Sequence, residues 1–133
     1  MKQKVNYVDS SVALARLLAE ERRPPEEFWT GTLVSSRLLQ YEVWTRLHGR
    51  GLGKSHGEQA SELLAHVSLL ELAPDVLERT MEPFPLPVRT LDAIHLATIE
   101  FLRGQGQIII LACYDLRMIA AARALQIPIL DLP

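Results

Sequence analysis

"GQGQIIILACYDLRMIAAARAL", residues 104–125, decides the fold class. Gly104 and Gly106 mark a turn. The run from Ile108 to Cys113 has no wet face: apolar side chains fill both alternating sides, as in a strand buried between two layers. Asp115 stands just past the end of that run, and a helix follows at once, over roughly Tyr114 to Leu125. A doubly buried strand feeding directly into a helix is the unit of a parallel sheet covered by helices.

The same alternation runs back through the chain. "VNYVD" (5–9) reads as a strand, and Ser10 or Ser11 then caps a helix over "SVALARLLAEE" (11–21). "RRPPEEFW" (22–29) breaks that helix and starts a short second one. "TLVSS" (32–36) reads as a strand and "RLLQYEVWTRLH" (37–48) as a helix with Leu39, Val43 and Leu47 on one stripe. "GRGLGKSHG" (49–57), with four glycines, reads as a loop. A helix over "EQASELLAHV" (58–67), a strand over "SLLEL" (68–72) and a short helix over "PDVLERTM" (74–81) come next. "EPFPLPV" (82–88) is a proline-rich loop, a long helix runs from Thr90 to about Arg103, and "IPILDL" (127–132) is a last short strand. The expectation is a single α/β domain over residues 1–133 with a mostly parallel sheet. Ligands of such sheets bind beyond the carboxyl ends of the strands, where the strand order reverses.

Composition narrows the classes. With 133 residues, 48% of them apolar, the chain can bury one sizeable core. A single cysteine, Cys113, excludes an intramolecular disulfide and points to a reducing compartment. There is no secretory leader pattern and no apolar run of the roughly 18 residues that span a bilayer, so a soluble cytoplasmic protein is expected, with no membrane partner. The net charge of −2 is not the basic footprint of many nucleic-acid binders. It decides little here: if four of the 16 acids are held by metal in one pocket, twelve remain against 14 bases. Eleven of those 14 bases are arginine, which suits bidentate phosphate contacts but also occurs as an ordinary surface bias.

Four acids stand where chemistry is expected. Asp9 follows the first strand and Asp115 the fourth. Glu42 lies beside the buried stripe of its helix, and Asp92 opens the long helix of "TLDAIHLATI" (90–99). Carboxylates gathered in one crevice repel one another, and burial raises their pKa values. A hard divalent cation such as Mg²⁺ or Mn²⁺ removes the conflict and can activate water against a phosphodiester. Each acid also has a plainer reading. Asp9 and Asp115 can cap helices, Asp92 can answer a helix dipole worth about 0.5 kcal/mol, and Glu42 can pair with Arg46. Spacing alone leaves both readings open. His95, three residues after Asp92, reads by default as a packing residue, Cys113 as a small apolar one, and Ser10 as the hydroxyl with the best case for supporting the site.

Other motifs are absent or incomplete. There is no phosphate-binding glycine loop after a strand, and the four histidines lack zinc-ligand spacing. A haloacid-type phosphatase needs an aspartate two residues after Asp9, where Ser11 stands. A phosphoacceptor receiver needs a late lysine, and none follows Lys54. A plain interaction module would leave the four acids unexplained.

"YVDSSVAL", "SSRLLQYEVWTRL", "RTLDAIHLATIEFL" and "ILACYDLRMIAAARALQIPIL" together resemble the PIN-domain ribonucleases, most closely the VapC-type toxins of toxin–antitoxin pairs. The resemblance runs in order along nearly the whole chain. It implies a three-layer α/β/α fold with a central, mostly parallel five-stranded sheet. It also implies Mg²⁺ ligands at Asp9, Glu42, Asp92 and Asp115, with Mn²⁺ a possible substitute and Ser10 matching a small hydroxyl residue beside the first aspartate. It further implies an endoribonuclease that hydrolyses RNA through a metal-activated water, a homodimer, and an inhibitory antitoxin protein. Phe28, Trp29 and Trp44 are candidates for the antitoxin contact, and Arg89 and Arg117 for RNA phosphates. The family's usual threonine two residues before the last aspartate is replaced here by Cys113, a poorer hydrogen-bond donor. The alternative within the same fold is a catalytically silent domain that binds RNA or a protein.

Overall fold

The structure is a computed structural model that describes residues 3–133. Four parallel strands form its sheet: β1 (Lys4–Val8), β2 (Leu33–Ser36), β3 (Ser68–Leu70) and β4 (Ile108–Ala112). Their order is β3-β2-β1-β4. The chain lays down β1, β2 and β3 in one direction and then crosses back to place β4 on the other side of β1. The switch point therefore lies between β1 and β4, which pair in register from Lys4 with Ile108 to Val8 with Ala112. The expected fifth strand is shorter than a strand. It survives as one parallel bridge, Leu111 to Ile129, held by the Leu111 amide on the Pro128 carbonyl and the Leu130 amide on the Leu111 carbonyl. Pro128 itself has no amide to donate, which limits how far this edge can pair.

Among the described residues six α-helices surround the sheet: α1 (Ser10–Leu17), α2 (Leu38–Gly49), α3 (Gly53–Ala65), α4 (Pro74–Arg79), α5 (Thr90–Gly104) and α6 (Leu116–Ala124). One core gathers Val8, Leu33 and Ala112 with apolar residues of α1, α2 and α3. The other gathers Val5, Tyr7, Val34, Ile109 and Leu111 with α5 and α6. Alternate residues of β1 and β4 thus enter opposite cores, as period-two strands buried on both faces must. Among the described residues no helix is long and apolar enough to cross a membrane.

Two boundaries differ from the sequence reading, each for a local reason. Helix α1 stops at Leu17 instead of running to Glu21. Ala19 turns into the left-handed region at φ 50°, the Glu20 amide reaches back to the Ala15 carbonyl, and the Ala19 amide reaches the Arg16 carbonyl. This is a Schellman-type ending without its usual glycine. In turn, "GKSHG" is not loop but the start of α3. Gly57 lies close to α2: a Cβ there would stand 3.1 Å from Trp44 Cη2, a tight contact. Only Gly51, at φ 69°, makes the turn that four glycines suggested.

Phe28 and Trp29 also depart from expectation. They lie on a short 3₁₀ segment (Glu26–Thr30), are 7% and 9% exposed, and belong to the first core, so neither is a surface for a partner. Trp44 is half-buried, stacked on His48 at 5.5 Å.

Helix α5 carries the longest apolar face and seats two of the site residues. Leu96, fully buried in the second core, anchors it. Leu96→Ala is expected to lower unfolding free energy by about 2–5 kcal/mol, the usual cost of such a cavity. Urea denaturation with an unchanged slope would show it; a loss near zero would mean that α5 is not held by this contact.

Candidate active site

The carboxyl ends of β1 and β4 open onto a cleft of about 270 Å³ at the switch point. Asp9, Asp92 and Asp115 line it, together with Ser10, Ser11 and Arg46. Glu42 stands at its edge: Ser10, a cleft residue, donates its hydroxyl to Glu42 Oε2 at 3.4 Å. The fold therefore brings all four acids of the sequence reading to one region, from four different elements.

Two of the acids are held as helix caps, one by a buried histidine, and one by no hydrogen bond among the described residues. Asp9 is the N-cap of α1. Its Oδ2 accepts from the Ser11 amide at 3.1 Å, the Ser11 hydroxyl at 2.6 Å and the Cys113 thiol at 3.4 Å, and the residue is only 4% exposed. Asp115 is the N-cap of α6, with Oδ1 accepting from the Arg117 amide at 2.9 Å. The capping readings of these two residues are thus correct. They also leave Asp9 Oδ1 and Asp115 Oδ2 without a hydrogen-bond partner among the described residues. Glu42 does not pair with Arg46. His95 Nε2 takes that place, donating to Glu42 Oε1 at 2.6 Å. Asp92 sits in the first turn of α5 but makes no capping bond, and none of its oxygens has a partner among the described residues.

His95 is more than packing. It is fully buried, with Tyr7 Oη 2.7 Å from Nδ1 and Glu42 on Nε2, so it ties the central strand to α2 through α5. Burial opposes its charge. The hydrogen bond to Glu42 and the charges of Glu42, Asp9 and Asp92 outweigh this and raise its pKa above the usual value. Burial pushes the Asp92 carboxyl up, and the nearby charges of Asp115 and Asp9 push it further; only His95 pulls it down. The Cys113 thiol is also pushed up, by burial and then by Asp9, so it stays protonated and serves as a weak donor to Asp9 Oδ2.

Sequence reasoning favoured Ser10, yet Ser11 makes the shorter contacts. Its hydroxyl also accepts from the Tyr114 amide at 3.0 Å, which clamps the loop after β4 to the start of α1. The signal was present: an N-cap aspartate bonds the amide two residues on, so a serine there meets the same carboxylate. Arg46 lines the cleft, where Arg89 and Arg117 do not. Among the described residues, no group of three or more His, Cys, Asp and Glu side chains is arranged to hold a metal ion as they stand.

A parallel α/β domain with an acidic cleft at its switch point is one of a small class of frameworks. Residues 7–128 match the PIN domain, and the chain belongs to that family. It is of the VapC type: it is 34% identical over 128 residues to "Ribonuclease VapC46" of Mycobacterium tuberculosis (strain ATCC 25618 / H37Rv), covering 93% of this chain and 95% of that protein.

One outcome follows from the raised pKa of Asp92 and a second from the hydrogen bonds of His95. A raised folded-state value gives stability that is present below the unfolded value and is lost as pH rises through the folded one. For Asp92 that loss starts above about pH 4. Asp92→Asn should therefore melt at a higher temperature than the parent chain in chelator, with the gap widening as pH rises from about 4 towards neutral. An aspartate serving only the helix dipole would give the opposite sign, a loss of about 0.5 kcal/mol. His95→Phe should lose about 1–3 kcal/mol, because it removes the bonds that the buried ring makes to Tyr7 Oη and Glu42 Oε1. Denaturation equal to the parent chain would remove His95 from this role.

Proposed function

We propose that this protein is a divalent-cation-dependent endoribonuclease, the toxin of a toxin–antitoxin pair, with Asp9, Glu42, Asp92 and Asp115 holding Mg²⁺ or Mn²⁺. The observation that carries the proposal is the convergence of these acids on one cleft in a chain of VapC type, with Asp92 raised by burial and by its acidic neighbours.

The donor set suits the cation in kind: carboxylate oxygens are the ligands that hard cations take, and Asp92 keeps both oxygens uncommitted and Asp9 and Asp115 one each. Mutual repulsion of the kind that raises Asp92 is the penalty a divalent cation removes. When bound, the cation supplies a lower pKa for water and neutralises charge that builds on the phosphate.

The chain's own residues do the positioning. Ser11 and the Cys113 thiol fix Asp9 Oδ2, so that the carboxylate cannot rotate freely. The α6 amides fix Asp115 Oδ1. His95 holds Glu42 Oε1, and Ser10 bonds Oε2, making Ser10 a support for Glu42 rather than for Asp9. Arg46 is the cation in the cleft wall placed to meet an RNA phosphate. No protein nucleophile is needed. A cytoplasmic location, a homodimer and an inhibitory antitoxin belong to the same reading. With Phe28 and Trp29 in the core, the antitoxin contact falls to Trp44 and the cleft rim.

The test is cleavage of total cellular RNA by purified protein with Mg²⁺, with Mn²⁺ and with chelator. Discrete fragments that require a divalent cation and drop by at least about a hundredfold in rate in Asp9→Asn and Asp92→Asn are expected, in line with losing a ligand that supports metal chemistry. Unchanged cleavage in either variant would end the proposal. Absence of both cleavage and metal binding would place the chain among silent domains that bind RNA or protein.

A further inference from the structure

Large apolar side chains are sparse on the exposed surface, and three of them stand beside the acids. Tyr41 (55% exposed) precedes Glu42, Leu91 (48%) precedes Asp92, and Leu116 (77%) follows Asp115. Two of the three, Tyr41 and Leu91, face one pocket of about 510 Å³ between α2 and the start of α5. Leu14 and Leu38 extend its apolar wall, and Arg46 and Arg50 supply its charge. The pocket runs into the acidic cleft, because Ser10, Leu14 and Arg46 line both.

Burial does not explain this arrangement, since an exposed tyrosine and an exposed leucine gain little by facing water. Nor does pairing explain the arginines. Among the described residues, neither Arg46 nor Arg50 takes part in an ion pair or a side-chain hydrogen bond. Glu42, the one acid in the pocket wall, is already bonded to His95. An aromatic ring, aliphatic side chains and two uncommitted guanidinium groups lining one pocket match an unpaired nucleotide: the base stacks and the phosphates on either side are neutralised. The volume suits one such unit, within the roughly 300–1,000 Å³ of small-ligand pockets. A second copy of the chain fits less well, because a two-fold interface here would bring the same arginine-bearing patch from both subunits together.

We propose that this side pocket binds one unstacked base of single-stranded RNA, with Tyr41 as the stacking platform and Arg46 and Arg50 on the flanking phosphates. The proposal rests on the ribonuclease reading and assigns part of its substrate specificity. An RNA strand whose scissile phosphate lies among the acids places a neighbouring nucleotide at this pocket. Duplex RNA has no free base to offer there.

The experiment is fluorescence anisotropy with a labelled oligoadenylate of about 12 nucleotides, long enough to fill a single-strand site, using the full chain with Asp92→Asn so that bound RNA is not cut. Tyr41→Ala should weaken binding about five- to hundredfold, the range for losing one stacked base, while Tyr41→Phe keeps the ring and the affinity. An abasic probe of equal charge should bind equally well with and without the Tyr41→Ala substitution. Arg46→Gln and Arg50→Gln should each lower the salt slope by about one. Parent-like binding of oligoadenylate by Tyr41→Ala would overturn the base pocket. So would sedimentation showing that Tyr41→Ala converts a dimer to a monomer and loses abasic and normal probe equally, since a second copy would then cover the pocket. The two readings fail separately. Metal-dependent cleavage beside parent-like Tyr41→Ala binding sinks the pocket and leaves the nuclease, whereas ring-dependent binding without cleavage sinks the nuclease.

Discussion

Asp9 is a carboxylate with almost no access to water, at the end of the central strand of a parallel sheet. A buried carboxylate is costly unless its oxygens are bonded. Three groups bond one of its oxygens: an amide and a hydroxyl from Ser11 on α1, and a thiol from Cys113 after β4. That single oxygen therefore joins the first turn of the chain to the strand added last across the switch point. The Asp9 amide adds a bond to the Ala112 carbonyl at 3.1 Å, so backbone and side chain close the same gap. This junction continues the β1–β4 pairing past the strand ends, at the floor of the cleft.

Capping and ligation are often posed as rivals for an aspartate at a helix start. Here they divide between the two oxygens of one carboxylate. Asp9 and Asp115 each give one oxygen to helix amides, which fixes the side-chain rotamer at a cost already met by helix stabilisation of about 1 kcal/mol. The other oxygen is held in a defined direction without a partner. Asp92 and Glu42 are arranged differently. Asp92 has no local bond, and Glu42 is oriented from beneath by a buried histidine. The site thus combines two rigid acids, one braced acid and one acid whose ionisation the surroundings oppose.

The sequence carried the layer order well, because it is written in periods. Residues 108–113 have no polar face, and the chain buries Ile109 and Leu111–Cys113 fully and Ile110 in part, with only Ile108 at the strand's start exposed. Helix faces such as Leu39, Val43 and Leu47 follow from spacing. What spacing did not carry was tertiary in origin. Gly53 and Gly57 look like loop residues, but both lie in α3, and Gly57 packs closely on the Trp44 ring, a contact between two helices. Ala19 gives no sign of ending α1, since alanine is a strong helix former and only the packed geometry turns it left-handed. The acids were legible as candidates, yet Glu71 and Asp75 had similar neighbours and lie elsewhere. Glu71 is on Arg37 in a surface ion pair. Only topology separates the two sets.

His95 shows why a packing residue and a site residue need not be distinct. Its ring sits edge-on to Tyr7 at 5.7 Å inside the core, while its far nitrogen reaches the edge of the acidic cleft. A leucine could fill the same volume, but it would remove the bond to the tyrosine hydroxyl and release Glu42 to rotate towards solvent. A buried polar chain of this kind stabilises only when every member is satisfied. Tyr7, His95, Glu42 and Ser10 form such a chain, running from the sheet interior to the cleft. The orientation of Glu42 is consequently set by the same contacts that seat α5 on the sheet, so the geometry of the acids is coupled to the packing of the second core.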